Sequence, residues 1–553
     1  MIDDANSVPQ GAVLDTDICV VGTGAAGLSI ALQFLHGPCR VLVLEAGSLK
    51  TNKINQDFYR GSVTDPDLHT PPDHYRDRVY GGTTGIWGGR CVPFDPIDLE
   101  QRPWIHESGW PIDFAELAGY YPAANLLCEA GDYDYGPTAV PGGMRPLIRS
   151  FGAPNLSSET IERFSCPTDF GARYRADLES SQSVRILLNA NCTEILTTDE
   201  GSAAESVSVQ TLSGTGFTVN ARAVVLATGG IETPRLLLAS RRVHANGLGN
   251  AHDLVGRYYM CHMAGTIGAL TFAVPPEDVW HNYERTVDGV YCRRRISVTA
   301  EAQRALGIGN VIFRLHHPRI PDPSHRTGAL SAIYLAKYFI SYEYSKRLHG
   351  SDVLGMRDYL RHAMNIVKDP LGTAGFLAHW TVAHTLAKRK FPSLIIHPRS
   401  NVYSLEFNGE QEPNPDSRIT LTRETDRLGM PRLNIDWRYT EGDIRSIVES
   451  LKLVREGIAA SKVGRFDFDE GEVASACLRD GALGGHHIGT ARMNVSPSKG
   501  VVDASCQVHG IRNLYIAGSA VFPTSSQANP TLTIVAMALR LAGKLKADFA
   551  AAA

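Results

Sequence analysis

Six residues near the N-terminus, Gly22-Thr23-Gly24-Ala25-Ala26-Gly27, have the types and spacing to cradle a pyrophosphate, and Glu45, eighteen residues beyond the last glycine, has the side chain to hold a ribose. Each part has a mechanical job. The first glycine of such a fingerprint permits a tight turn, the second lets backbone N–H groups approach the phosphates, and the third brings helix close to strand. The carboxylate accepts hydrogen bonds from ribose hydroxyls. A helix that opens at the glycines adds partial positive charge beneath the phosphates. FAD and NAD both use this fingerprint, so these residues predict a dinucleotide without choosing between the two.

The elements that must position the fingerprint are legible around it. Residues 17–21 form a short apolar run, 28–35 a helix-like stretch and 40–44 a second β-rich run, a strand-turn-helix-strand unit. Residues 223–226 repeat the apolar run, followed by Ala227-Thr228-Gly229-Gly230 and a helical stretch over 232–238. Residues 513–517 read as a buried strand ending at Gly518, and 530–549 as a long final helix. Three glycine-marked strand ends, far apart in sequence, predict one nucleotide-binding sheet built from separated segments.

The alternating residues of 417–421 and 432–437 predict antiparallel strands of another domain. Residues of about 330–390 carry apolar positions at helical spacing and predict an inserted helical lobe. The expected fold is α/β (α+β overall). It has a Rossmann-like dinucleotide-binding domain from 1–90, 180–260 and 500–553, and a substrate domain from 91–179 and 261–499 that carries the antiparallel sheet and the insertion.

Bulk properties narrow the functional class. The 553 residues are 43% hydrophobic with a net charge of −4, which leaves no basic excess for nucleic acid as a main partner. Arg293-Arg294-Arg295 and Lys388-Arg389-Lys390 read as solvated faces. The ten cysteines include no CxxC pair, so neither a disulfide framework nor a zinc site is expected. The first residues, MIDDANSVPQGAVLDTD, lack a basic and apolar leader, which predicts a cytoplasmic protein, and no apolar stretch reaches the length of a transmembrane helix.

Four further segments resemble the glucose-methanol-choline (GMC) oxidoreductases, a family of FAD-dependent alcohol oxidases and dehydrogenases. They are Gly81-Gly82-Thr83-Thr84-Gly85-Ile86-Trp87-Gly88-Gly89, the run from Ala227 to Leu237, His486-His487-Ile488-Gly489-Thr490-Ala491-Arg492-Met493, and Gly518-Ser519 through Asn529-Pro530-Thr531. The resemblance runs nearly end to end, with no family motif over about 270–400. It implies FAD. It also implies that Gly82 and Thr83 pass the isoalloxazine, that Gly229 marks a second cofactor-side turn, and that Gly518 and Ser519 meet flavin or phosphate. The backbone at Cys192 would meet the adenine, and the helix opening at Pro530 and Thr531 would face the flavin pyrimidine.

Within the family a histidine, followed about forty residues later by histidine or asparagine, faces the flavin; His486 and Asn529, 43 residues apart, match those positions. With the Gly-Thr-x-Arg-Met run, the asparagine resembles the pyranose oxidase, fructose dehydrogenase and gluconate dehydrogenase side of the family, which implies a carbohydrate-type alcohol. Electrons would pass to oxygen, a quinone or a partner protein.

Alcohol oxidation needs a base at the hydroxyl while the carbon gives up hydride, and a neutral imidazole suits that task. His486 is the candidate base by its spacing, although chemistry alone does not separate it from His487. Asn529 is the candidate to hold the substrate oxygen, and is equally placed to cap the helix that follows. Arg90, Arg492 and Gln411 are weaker contact candidates, with ion pairing or a domain-edge turn as the plainer alternatives. Two readings compete with a sugar oxidoreductase: a GMC-type enzyme for a non-carbohydrate alcohol, and a non-catalytic protein that keeps the flavoprotein fold. Some sugar enzymes of the family hold flavin covalently through a histidine at the position of Ile86. Non-covalent FAD is therefore expected: acid precipitation should leave the yellow colour in the supernatant, and flavin retained in the pellet would refute it.

Overall fold

Val41–Leu44 is buried at every residue and Val13–Val21 over its last stretch, the continuous apolar pattern of strands covered on both faces. They lie parallel, Ile18 opposite Val41 and Val21 opposite Leu44, at the centre of an eight-stranded sheet. Val184–Leu188 and then Ile2–Asp4 extend the sheet on one side in parallel, and Gly216–Leu226 lies on the other. The first half of Gly216–Leu226 pairs antiparallel with Ala204–Gln210, which pairs with Asn191–Thr197. Its second half pairs in parallel with Leu514–Ile516, so opposite ends of the chain share one sheet. The computed structural model describes residues 1–339, 355–398, 400–480 and 485–551.

A six-stranded antiparallel sheet forms the second layer. Its order is Gly464–Asp467, His262–Phe272, Val402–Glu410, Val311–His316, Ile296–Val298 and Leu156–Ser157. The helix Glu441–Ala460 opens with a Thr440–Asp443 capping box and buries Ile447, Leu451, Val454 and Ile458 along one stripe toward this layer. Two smaller sheets join the layers. One pairs Tyr283–Arg285, Tyr291–Arg294, Ile161–Phe164 and Arg90–Cys91; the other pairs Arg418–Thr425, Pro431–Asp436 and Ser62–Val63. The expected lobe contains the helices Gly328–Leu335, Met356–Lys368 and Pro370–Trp380, while residues 340–354 of it lie outside the described residues. Among the described residues no helix is long and apolar enough to cross a membrane.

Three strand ends converge where the site must lie. Val13–Val21 leads into Gly22 and the helix Ala25–Leu32, Gly216–Leu226 into the helix Gly229–Ala239, and Leu514–Ile516 into Gly518. The approach is close enough to dictate residue type. Gly22 has φ +105°, and a Cβ there would fall 2.6 Å from the Ala227 carbonyl oxygen. A Cβ on Gly27 would overlap the Gly22 carbonyl oxygen. Gly27→Ala must therefore push the helix off its strand. It should cost about 2 kcal/mol, read as a lower urea midpoint, and should reduce the dinucleotide retained through purification; unchanged values for both would refute this packing role.

Candidate active site

A cavity of about 1280 Å³ opens beside these strand ends, larger than the roughly 300–1,000 Å³ of an ordinary small-ligand site. Gly22, Gly24, Glu45, Gly82, Thr83, Cys192, Gly229, Gly518, Ser519, Pro530 and Thr531 all line it, as do Arg90, His486, His487 and Asn529. Gly27 stands behind the loop and does not. Glu45 has a second task beyond the one its position suggests: its carboxylate accepts from the Thr23 backbone N–H at 3.0 Å, from the Thr23 hydroxyl, and from Gly47 N–H at 2.6 Å. It braces the glycine turn. A carboxylate has lone pairs left for a ribose after these three bonds.

His486 is delivered by a strand-like run that is bonded on both sides. Ile488 exchanges backbone hydrogen bonds with Met260, at 2.9 and 3.0 Å, while Gly489, Ala491 and Met493 donate to the carbonyls of Ser519, Ala520 and Val521 at 3.0, 2.8 and 2.8 Å. A Cβ on Gly230 would overlap the His487 carbonyl oxygen, so the helix Gly229–Ala239 abuts the same run without a side chain between them.

The antiparallel bridge of Met260 with Ile488 sets residue 262 opposite residue 486. His262 Nδ1 consequently lies 2.8 Å from His486 Nδ1, with the rings edge to face. On its other side His486 Nε2 is 3.0 Å from the Asn529 amide nitrogen. An amide nitrogen only donates, so one polarity satisfies the whole chain: Asn529 donates to His486 Nε2, and His486 carries its proton on Nδ1 and donates it to His262. The amide of Asn529 is thus turned toward the imidazole. His262 was not anticipated from sequence, because a lone histidine has no spacing signal and only the strand register brings it here.

His486 borders the cavity yet is enclosed by protein, and that burial, reinforced by His262 and Arg90, holds its pKa well below the usual imidazole value. Burial likewise pushes His262 down to about 4, against the opposing effect of the Ser525 backbone. His487 is separated from His486 by its partners. Its Nδ1 meets the Tyr259 hydroxyl at 2.9 Å, which in turn meets His69 Nε2 at 2.9 Å, and its buried Nε2 has no partner among the described residues.

A second group of charges lines the cavity. Arg90, Arg293, Arg314, Glu406, His316 and His317 border it together, Arg293 and Arg314 lying 3.7 and 3.6 Å from Glu406, with Glu162 behind. Against burial that would raise it, Arg314 and then Arg90 pull the Glu162 carboxyl down to about 2. Arg90 is both a wall of the cavity and an ion-pair member, 3.6 Å from Glu162. The expectation of a solvated Arg293-Arg294-Arg295 face is wrong: all three are buried, Arg294 pairing with Glu284 at 2.9 Å and Arg293 with Glu406 at 3.7 Å.

Gln411 and Arg492 also need correction, since neither reaches the cavity. Every polar group of Gln411 is engaged by protein: Oε1 accepts from Cys261 N–H and Trp437, Nε2 donates to Arg438, and its backbone N–H donates to Ser525. It fixes the strand before His262 to the loop before Asn529. Arg492 is buried over the Tyr258 ring and donates to the Glu107 carbonyl.

Two sequence-family matches fall on the two parts of this arrangement, a GMC oxidoreductase N-terminal region at residues 172–264 and a C-terminal region at 413–538. The chain belongs to the GMC oxidoreductase family. Relatives along nearly the whole length include a 2-methyl-1,2-propanediol dehydrogenase of Mycolicibacterium austroafricanum, 23% identical over 95% of this chain and 94% of the relative, and a paromamine 6'-oxidase of Streptomyces fradiae, 24% identical over 96% and 91%. The fold matches the crystal structure of pyridoxine 4-oxidase from Mesorbium loti with a TM-score of 0.56 at 19% identity, covering 96% of this chain and 99% of the other.

FAD is the cofactor of this GMC oxidoreductase, and the residues present fit it. The glycine cradle at Gly22, the braced carboxylate of Glu45 and the unpartnered Nε2 of His487 all belong to one cavity of sufficient volume.

The buried imidazoles make the fold acid-sensitive. The unfolded chain binds a proton at His262 below about pH 6.5, whereas the folded chain resists until about 4, so stability present above 6.5 is lost as pH falls through that window. His262 alone should withdraw about 3 kcal/mol by the lower limit. The Asp98 carboxyl, held near 7, works in the opposite sense over the same range, so the contribution is read against His262→Gln: below about pH 6.5 the urea midpoint of the wild type should fall more steeply than that of the variant, and parallel curves would show that His262 protonates freely in the fold.

Proposed function

We propose that this GMC oxidoreductase oxidises a hydroxyl group of a sugar-like substrate to a carbonyl, with His486 as the base and Asn529 holding the oxygen. The observation that carries the reading is the oriented chain Asn529–His486–His262, in which an uncharged His486 presents the lone pair of Nε2 beside an amide donor in the FAD cavity. A substrate hydroxyl takes the place of the Asn529–His486 hydrogen bond: it accepts from the Asn529 amide and gives its proton to His486 Nε2. FAD, when bound, supplies the two-electron acceptor for the hydride that leaves the carbon as the C=O bond forms. His262 acts as a positioning residue: by accepting from Nδ1–H it keeps the tautomer of His486 whose Nε2 carries a lone pair, so that Nε2 can receive the proton. Pro530 and Thr531 open the final helix at the cavity, where its N-terminal dipole favours negative charge.

The substrate class is supported by the wall that the chemistry faces. Arg293, Glu406, His316, Ser404 and Asn408 make that wall polar; they are held in place by bonds to protein such as Arg293 to Glu406 and Asn408 to Gln527, and their remaining lone pairs and N–H groups suit several hydroxyls on one ring. The relative named as acting on paromamine points the same way. A small diol is the second reading, favoured by the propanediol dehydrogenase relative and by Phe376 and Trp380 on the same cavity. The acceptor that reoxidises the enzyme is oxygen, a quinone or a partner protein.

Anaerobic mixing with sugars, aminocyclitols and short diols, followed by visible absorbance, tests both parts. A sugar or aminocyclitol should bleach the bound flavin. His486→Ala should slow that bleaching by roughly 10²–10⁴-fold while FAD stays bound. Bleaching by diols alone would replace the substrate class, and undiminished bleaching in the variant would remove His486 from the role of base.

A further inference from the structure

The helix Met356–Lys368 is turned inside out. Its buried residues are polar: His362 bonds to Ser331 and the Pro321 carbonyl at 3.0 and 3.1 Å, and Asn365 to the Pro323 carbonyl and Ser331 at 2.9 and 3.1 Å. Four of its large apolar residues are exposed: Met356 at 77%, Leu360 at 64%, Met364 at 51% and Val367 at 72%. At 100° per residue these four fall within one stripe, whereas Arg357, Arg361 and Lys368 form a band along one flank of it. Exposed apolar residues continue past the helix, with Leu371 at 86%, Val382 at 65% and Leu386 at 74%.

A helix that buries its polar side and offers apolar side chains outward calls for an apolar partner. The charge beside the stripe says which kind. Residues 355–390 carry six lysines and arginines against two aspartates, in a chain whose net charge is −4. A second copy docking on the same stripe would bring like charges together. The stripe itself, roughly 20 Å long and one side chain wide, also falls well short of the roughly 800 Å² per partner of a stable protein interface. An apolar stripe edged by cations is the pattern of helices that lie in the surface of an anionic bilayer.

We infer that the inserted lobe docks this enzyme on an anionic lipid surface, with Met356, Leu360, Met364 and Val367 entering the acyl boundary and Arg357, Arg361 and Lys368 meeting the headgroups. The placement reaches the active site, because Phe376, Leu377 and Trp380 of the same lobe line the catalytic cavity. Docking would bring that wall against the bilayer without any segment crossing it. None of the stripe or flank residues lines the cavity, so docking and catalysis can be separated by substitution.

Flotation of the FAD-loaded enzyme with vesicles of equal parts phosphatidylglycerol and phosphatidylcholine tests this. The enzyme should float with them, and pure phosphatidylcholine or high salt should largely release it. Arg357→Gln/Arg361→Gln/Lys368→Gln should weaken partitioning by about 100-fold, from about one kcal/mol per basic residue at such a surface. Leu360→Gln/Met364→Gln should abolish flotation while keeping the flavin spectrum and the melting temperature. Wild-type enzyme left at the bottom of the gradient would overturn the proposal, as would equal flotation of the Leu360/Met364 variant. So would light scattering that shows a dimer dissolved by that variant, which would assign the stripe to a second copy.

Discussion

Backbone hydrogen bonds leave residues 488–493 in two directions, toward Met260 on the substrate side and toward Ser519, Ala520 and Val521 on the dinucleotide side. Each bond contributes modestly, about 0.5–1.5 kcal/mol, but a buried donor left without its partner costs more, so the run cannot shift toward one layer without breaking with the other. This is why the imidazole at its head has a fixed address. The Ser519 hydroxyl donating to the His487 carbonyl at 2.6 Å, and the bare Gly230 against that same carbonyl, close the remaining freedom. The placement of His486 is a property of the join between two sheets rather than of either sheet alone.

The loop that brings Asn529 is held in a comparable way by buried polar groups. Thr524 accepts from the Trp110 indole at 2.8 Å and donates to the Asp98 carbonyl at 2.7 Å; Ser526 donates to the Asp98 carboxyl at 2.6 Å; Gln527 is held by Arg295 at 3.1 Å and by Asn408. Crowded by burial and by Asp95, the Asp98 carboxyl is pushed up to about 7. Such a network is costly unless it is satisfied throughout, and when it is satisfied it selects one conformation. Buried pairs such as Arg102 with Glu410, doubly bonded at 2.6 and 2.7 Å, extend the same logic into the core, where losing either partner would strand an unpaired buried charge.

What the sequence made legible was local or periodic. The glycine turn, the apolar strands beside it and the final helix each announce themselves within a window of ten or twenty residues, and their structures start within a few residues of where the pattern places them: the first helix runs Ala25–Leu32 and the last Thr531–Ala551. Contacts made across the chain were not legible. His262 joins His486 through a strand register, and Arg293 is buried because Glu406 lies nearby, a carboxylate more than a hundred positions away. Gln411 misled for the converse reason: a polar residue in a proline-rich turn looks available until Cys261, Trp437 and Ser525 are seen to use all of it.

The sheet that holds the cofactor loop is threaded through both ends of the polypeptide. Leu514–Ile516 completes it beside Gly216–Leu226, and the helix Thr531–Ala551 covers Ala25–Leu32. Val13–Val21 and Val41–Leu44 have all their strand partners once residue 226 has left the ribosome, but Leu514–Ile516 and the helix over Ala25–Leu32 follow some three hundred residues later, roughly tens of seconds of synthesis at about 5–20 residues per second. The helix that opens beneath the glycine turn therefore stays uncovered on its outer side through most of synthesis, a long wait for an apolar surface that the finished fold buries.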